Sequence, residues 1–244
     1  LLCNNHIRYF HTKSSTAYQR NFGLSKIKQN NFVMFMDDDI ILLKDTFKNI
    51  NKCIKKSAKK KNIAGFGFNQ IQEEKNSFLK NFKKNSLLNY FDIYPSVPGK
   101  IAKSGWHSKI LNLKKDVLAD WVFTTICIYK LNDIKELKFD ESFGRYSYLE
   151  DLDFSLNLIK QKKKILISSK AKFLHPENID RSNFKFGVTE IINRFKIVKK
   201  HSLSKKLFLI AALLRFFMSL SRSLTLNKKY FMRSMGNIYS LFKL

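Results

Sequence analysis

Phe32-Val33-Met34-Phe35-Met36 is an uninterrupted apolar run, closed in front by Asn30-Asn31 and behind by Asp37. It is too short for a helix that must bury one face, and it has no solvated side. Such a run is expected to be a strand buried on both faces, as in a parallel sheet. The same punctuation recurs along the chain. Ile63–Phe68 (IAGFGF) reads as the next strand, with glycines that let neighbouring groups approach the backbone closely. Trp121–Tyr129 (WVFTTICIY) is another β-rich run, Ile165-Leu166-Ile167 is a short strand leading towards His175, and Ile7–Phe10 is strand-like. Between these runs lie helix-forming stretches. Ser15 to Asn30 offers Ala17, Phe22, Leu24 and Ile27 to an inner face, Leu43 to Lys60 has a solvated lysine face, and Glu150 to Lys163 ends in bases suited to its dipole. This alternation predicts an α/β fold, a mostly parallel sheet flanked by helices with right-handed crossovers. Residues 71–119, with the Pro95–Pro98–Gly99 turn and Lys103–Trp106, are expected to form loops and short elements over one end of the sheet.

From Gly187 the texture turns helical, basic and apolar, which divides the chain into an α/β domain over residues 1–186 and a helical extension over 187–244. Leu207–Leu214 with Phe216, Phe217 and Met218 is interrupted by Arg215. That falls short of the roughly 20 residues of a membrane span. Lysines 199, 200, 205, 206, 228 and 229 surround it, so two readings stand: a helix lying on an anionic membrane surface, or one packed on the α/β domain. The whole chain is basic, with 46 Lys+Arg against 19 Asp+Glu and a formal charge of +27. Such a field attracts nucleic acid, anionic lipid or phosphorylated substrates. Drift towards Lys, Asn, Ile and Phe accounts for it equally well, so the charge alone identifies no partner. A basic nucleic-acid-binding protein is the alternative class, although no C₂H₂ or RNP motif is present. Cys3, Cys53 and Cys127 are odd in number and far apart, which fits a reducing compartment better than a disulfide framework.

Chemistry is concentrated in the acids, which are scarce. Asp37-Asp38-Asp39 closes the first apolar run, at the strand end where α/β sheets bind ligands. Three adjacent carboxylates repel one another, and a divalent cation would offset that; Mg²⁺ takes one or two carboxylates and completes its shell with phosphate and water. The competing reading is a solvated acidic turn. A second cluster lies in FDESFGRYSYLEDLD, where Asp140 and Glu141 sit in a turn and Glu150, Asp151 and Asp153 open a helix. Capping explains any one of them, while a carboxylate there is also suited to general-base work on a hydroxyl. His175 follows a strand, where a structural role competes with that of a metal ligand.

In order and spacing these pieces resemble the inverting family 2 glycosyltransferases of the GT-A (Rossmann-like) fold, over roughly residues 7 to 200. Tyr18–Leu24 is similar to the family's "RNxG" helix, Phe35–Asp39 to its DxD strand end, and Ala119-Asp120-Trp121 to the acceptor-side segment. Phe139-Asp140-Glu141 and Glu150-Asp151-Leu152-Asp153 are similar to its "FDExF…EDxD" signature. The resemblance implies transfer of a sugar from a nucleotide-diphosphate-sugar to an acceptor hydroxyl, in cell-surface polysaccharide or lipid-linked glycan synthesis, with Mg²⁺ or Mn²⁺. It implies Asp37, Asp39 and His175 at the metal, Arg20, Asn21, Asp37 and Asp38 at the nucleotide sugar, and Trp106, Trp121 and Asp120 on the acceptor side. Asp151 would be the base and Glu150 its neighbour in positioning. The implied location is cytoplasmic, peripheral on the inner face of the cell membrane. The family normally opens with a strand and loop that hold the nucleotide base, and no such segment precedes Ile7. The chain is therefore expected to be a piece of a longer protein, with an inactive truncated relative serving as a membrane-bound partner as the other reading.

Overall fold

The structure is a computed structural model that describes residues 7–27, 31–57, 59–73, 86–176, 180–225 and 228–244. Helix α1 (Thr16–Ser25) precedes strand β1 (Phe32–Met36), and β2 (Ile41–Leu42) leads into α2 (Thr46–Ser57) and β3 (Ile63–Gln70). Next come α3 (Ser86–Tyr90), β4 (Val117–Ala119), β5 (Ile126–Lys130), α4 (Leu131–Ile134) and a 3₁₀ turn at Glu141–Phe143. Helix α5 (Glu150–Lys160) and β6 (Lys164–Leu174) complete the sheet region, and α6 (Phe184–Lys200), α7 (Lys205–Thr225) and α8 (Lys229–Leu241) follow. Cys3, the end of the first helix-forming stretch at 28–30, and residues 74–85 of the expected loop region lie outside the described residues. Ile7–Phe10 carries no strand, and α6 begins three residues before the expected change of texture at Gly187.

The six-stranded sheet has the order β1-β5-β3-β6-β2, with β4 on β6. It is mixed rather than mostly parallel. Only β3 and β6 pair in parallel, while β1–β5, β3–β5, β2–β6 and β4–β6 are all antiparallel. The apolar runs remain continuous because both faces of the sheet are covered, whichever way the strands point. Along β5, Cys127 and Tyr129 enter a core built on α5 and Ala17 of α1, while Ile126 and Ile128 enter a second core with Ile50 and Cys53 of α2. All eight residues of β3 are buried. Its glycines make room for this packing: a Cβ on Gly65 would meet the Tyr129 ring at 2.6 Å, and one on Gly67 would meet Ile167 at 2.3 Å.

Although mixed, the sheet gathers its ends. Strand β5 is antiparallel to both β1 and β3, and β6 is parallel to β3, so β1, β3 and β6 run in one direction. The residues that follow β1 and β6, Asp37 and His175, therefore emerge at the same end. The short β2 tightens this arrangement, because Ile41 pairs with Leu174 and brings the Asp38-Asp39 turn alongside His175.

The C-terminal helices form a third core with Ile93, Tyr94 and Trp106, against which Ile191, Val198, Phe208 and Ala212 pack. Helices α6 and α8 cross at glycines: a Cβ on Gly187 would lie 2.4 Å from the Arg233 carbonyl, and one on Gly236 would lie 2.3 Å from that of Phe184. At this crossing the Glu190 carboxylate receives Arg233 at 2.7 Å and Arg215 of α7 at 3.1 Å. Helix α7 has 21 residues, and Lys205–Leu224 is long and apolar enough to cross a membrane by length and composition alone. This corrects the shorter run expected from the interruption at Arg215.

Candidate active site

Arg20 lies on α1, one helical turn past Thr16, and reaches across the end of β1. One Nη approaches Asp37 Oδ1 at 3.4 Å and the other pairs with Glu150 Oε1. The guanidinium also lies 5.6 Å from the centre of the Phe139 ring. Three motifs far apart in the sequence thus meet at one cation. Asn21 does something else: its amide donates to the Phe139 carbonyl at 2.9 Å and accepts from the Phe139 N–H at 2.8 Å. It seals α1 to the Phe139–Glu141 segment and so fixes the height at which Arg20 stands.

The second acidic cluster separates into two groups. Asp153 is fully buried, accepting from Lys200 at 2.8 Å and lying 2.7 Å from His201 Nε2, and Asp140 also takes Lys200 at 2.8 Å. Burial would raise the Asp140 carboxyl, but the bonds from Lys200 and Ser142 outweigh it and hold it down at about 2. These two acids dock α6 on the sheet region. Glu150 and Asp151 turn the other way. The loop before them is held in an uncommon shape, with φ of 49° at Ser147 and 76° at Leu149. Ser147 secures it by donating to the Gly144 carbonyl at 2.7 Å while accepting from the Ala17 N–H at 3.4 Å. Non-glycine residues at positive φ cost roughly 1–3 kcal/mol each and persist where surrounding contacts impose them.

Burial pushes the Asp151 carboxyl above the usual aspartate range; the Arg20 charge and the Leu152 N–H, 2.8 Å away, pull against that shift without overcoming it. Glu150 is buried, and its second oxygen, Oε2, has no hydrogen-bond partner. Cys127 is only a distant cysteine in the sequence, yet its thiol feels Arg20, Asp37 and Asp151. Burial raises it to about 12, so it is a neutral, unreactive wall of the site.

Asp38 and Asp39 form the exposed turn between β1 and β2, and Asp37 is half-exposed. Solvent screens their mutual repulsion, so that repulsion does not by itself demand a cation. Asp39 Oδ1 lies 3.3 Å from His175 Nε2, whereas Asp37 is engaged by Arg20. Among the described residues no three His, Cys, Asp or Glu side chains converge as a preformed cation cage. At this end only Asp39 and His175 contact each other directly, while Asp37 is turned to Arg20.

No known family model and no curated protein matches the chain. What the site can do therefore follows from its own geometry.

Of the residues expected here, Arg20, Asp37, Glu150 and Asp151 come together, and Asp39 meets His175. Asp120 does not join them. Its carboxylate takes Lys164 at 2.6 Å and Lys100 at 3.2 Å, at the start of β6, whereas His175 follows the last residue of that strand. Trp121 is 1% exposed, with its indole N–H donating to the Ser108 carbonyl at 3.0 Å. Trp106 is buried between Tyr94 and Phe208, with Arg194 4.5 Å from its ring. Both indoles are core groups and present no open face.

Proposed function

We propose that this end of the sheet receives the diphosphate of a nucleotide-activated sugar and that the chain is an inverting glycosyltransferase related to family 2. The observation that carries the reading is the single guanidinium of Arg20 bound to both Asp37 and Glu150, with Asp151 beside them on α5. It supports a site in which the strand-end acids and the helix-start acids act together.

Asp39 and His175, with Asp37 nearby, would hold Mg²⁺ or Mn²⁺. When bound, such an ion supplies neutralisation of the charge growing on the leaving nucleoside diphosphate. The chain's own groups do the rest. Asp151 takes the proton of the acceptor hydroxyl as its oxygen bonds to the anomeric carbon; the bond from that carbon to the diphosphate oxygen breaks on the opposite face, with inversion. A raised carboxyl pKa suits this role, because a base closer to the working pH gains driving force for proton transfer. Glu150 holds Arg20 in place, and Arg20 keeps Asp37 turned towards the strand end. Asp38, exposed in the adjoining turn, would be the group nearest the ribose in this reading.

A donor screen of the full-length protein with Mg²⁺ or Mn²⁺, reading nucleoside diphosphate release, tests the proposal. Release that needs both metal and an acceptor is expected. No release from any donor, together with steeply salt-dependent binding to arbitrary DNA, would replace it with the nucleic-acid reading that the charge of +27 suggests.

A further inference from the structure

Helix α7 is amphipathic in the inverse sense for a helix facing water. Its mid-helix charge, Arg215, points inward to Glu190 on α6. Its outward positions are apolar: Leu209 and Ile210 are each 46% exposed, Leu213 43%, Phe217 60% and Leu224 82%. These residues recur at helical spacing and form one stripe, on which Ser221 is the only polar exposed position between Leu209 and Leu224. On α8, Phe231, Met232 and Tyr239 are also about half exposed, at 48%, 50% and 47%. Water-facing helices place their charges outward, and a run of large apolar side chains left outside marks a surface that docks on something apolar.

The charges around the stripe identify what that surface is. Lys205 and Lys206 stand exposed at the start of α7, Lys228 and Lys229 at the turn into α8, and Lys243 beyond its end. Positive ends bracketing an apolar band complement a surface with an apolar interior and an anionic skin. The helices lie on that surface and do not cross it. Glu190 holds both Arg215 of α7 and Arg233 of α8, and a crossing α7 would carry Arg215 away from its partner into hydrocarbon, at high cost. We infer that α7 and α8 form an interfacial membrane anchor, with the Leu209–Leu224 stripe in the acyl boundary of an anionic bilayer and the lysines over the lipid phosphates. The inference does not depend on glycosyl transfer, and it stands or falls separately from that reading.

Flotation with phosphatidylcholine vesicles, with and without phosphatidylglycerol, tests it on the full chain. The wild type is expected to float with the anionic vesicles and to be released as salt rises. Leu213→Ser/Phe217→Ser should lower the partition coefficient at least about tenfold, which is modest beside the transfer value of two large apolar side chains, with circular dichroism and Tm unchanged. Lys205→Gln/Lys206→Gln, at exposed positions, should weaken binding about fivefold per lysine in the anionic vesicles only. The inference is overturned if the wild type ignores anionic vesicles, or if both double variants float as it does. It is equally overturned if the stripe mediates a dimer without lipid while Leu213→Ser/Phe217→Ser leaves vesicle binding intact.

Discussion

Removing the Arg20 guanidinium would leave the Glu150 carboxylate buried without a counter-charge, and its Oε2 already has no hydrogen-bond partner. Arg20→Gln is therefore expected to destabilise the protein by about 3–5 kcal/mol in urea unfolding, the range for breaking one half of a buried pair. Glu150→Gln should cost less, and the double variant should recover part of the loss; additive losses would show that the two groups are not coupled. Asp151 gives a prediction in pH. Its carboxyl is raised by burial and must be ionised to accept a proton, so the acidic limb of the transfer rate should lie above the usual aspartate range. Because Arg20 is the larger of the two charges that lower it, ahead of Arg181, any residual activity of Arg20→Gln should show that limb moved higher still. Asp151→Asn should cut turnover about 10²–10⁴-fold with donor binding retained, as read by nucleotide-sugar titration. The acids themselves are legible in the sequence, since their spacing and their scarcity in a basic chain single them out. Their division of labour is not. Asp140, Asp151 and Asp153 lie within one short motif, and only the positions of Lys200, His201 and Arg20 decide which of them is structural and which faces the site. Asn21, expected at the nucleotide sugar, is instead bonded to the Phe139 backbone, and that bond escapes the sequence for the same reason: its partner is 118 residues away.

Whether an apolar run is a strand or a helix is a local property, and the direction of a strand is not. The runs at Phe32 and Ile63 form strands, the Trp121–Tyr129 run does so only from Ile126 onward, and the amphipathic stretches at Thr16, Thr46 and Glu150 form helices close to where periodicity puts them. The parallel assignment fails because it rests on continuous apolar character. Here α2 covers one face and α5 the other, so β5 is apolar throughout while running antiparallel to both its neighbours. Strand β6 is longer than its Ile165–Ile167 nucleus because Ala171 and Phe173 return to the core after an irregularity at Phe68/Asn69 in its pairing with β3. Glycines separate local from tertiary effects in the same way. Gly23 in α1 has nothing within 4 Å of an added Cβ, so Gly23→Ala should stabilise by about 0.5–1 kcal/mol through helix propensity. Gly236 also lies within a helix, but a Cβ there would lie 2.3 Å from the Phe184 carbonyl. Gly236→Ala should instead cost about 1–3 kcal/mol, as overpacking does. Urea midpoints that move in the same direction for both variants would mean that the α6–α8 crossing is looser than its geometry indicates.

On the scale of the whole molecule, 46 basic residues repel one another and 19 acids must hold them, so the few buried acids carry disproportionate weight. Glu190 is the clearest case. Burial alone would raise its carboxyl, but Arg215, Arg233 and Arg194 outweigh that and hold it well below the usual glutamate range. A depressed folded pKa contributes stability that is complete above the ordinary value of 4.5 and is lost as pH falls through the folded value. Asp140, held at about 2, acts in the same sense. The urea midpoint should therefore be level above roughly pH 5 and decline steadily below it. Protonating Glu190 also leaves two guanidinium groups facing each other between α6, α7 and α8, so helical signal from these elements should be lost ahead of that from the sheet region. Glu190→Gln should lower stability at neutral pH by about 3–5 kcal/mol and flatten the acid decline that remains. A wild-type midpoint indifferent to pH between roughly 5 and 2 would show that Glu190 does not hold the bundle together. Salt provides the complementary measurement: screening weakens repulsion among exposed lysines far more than it weakens a buried pair. Added salt should then raise the midpoint at neutral pH without restoring what acid removes, because the acid loss arises in the buried Glu190 cluster and the salt gain on the surface.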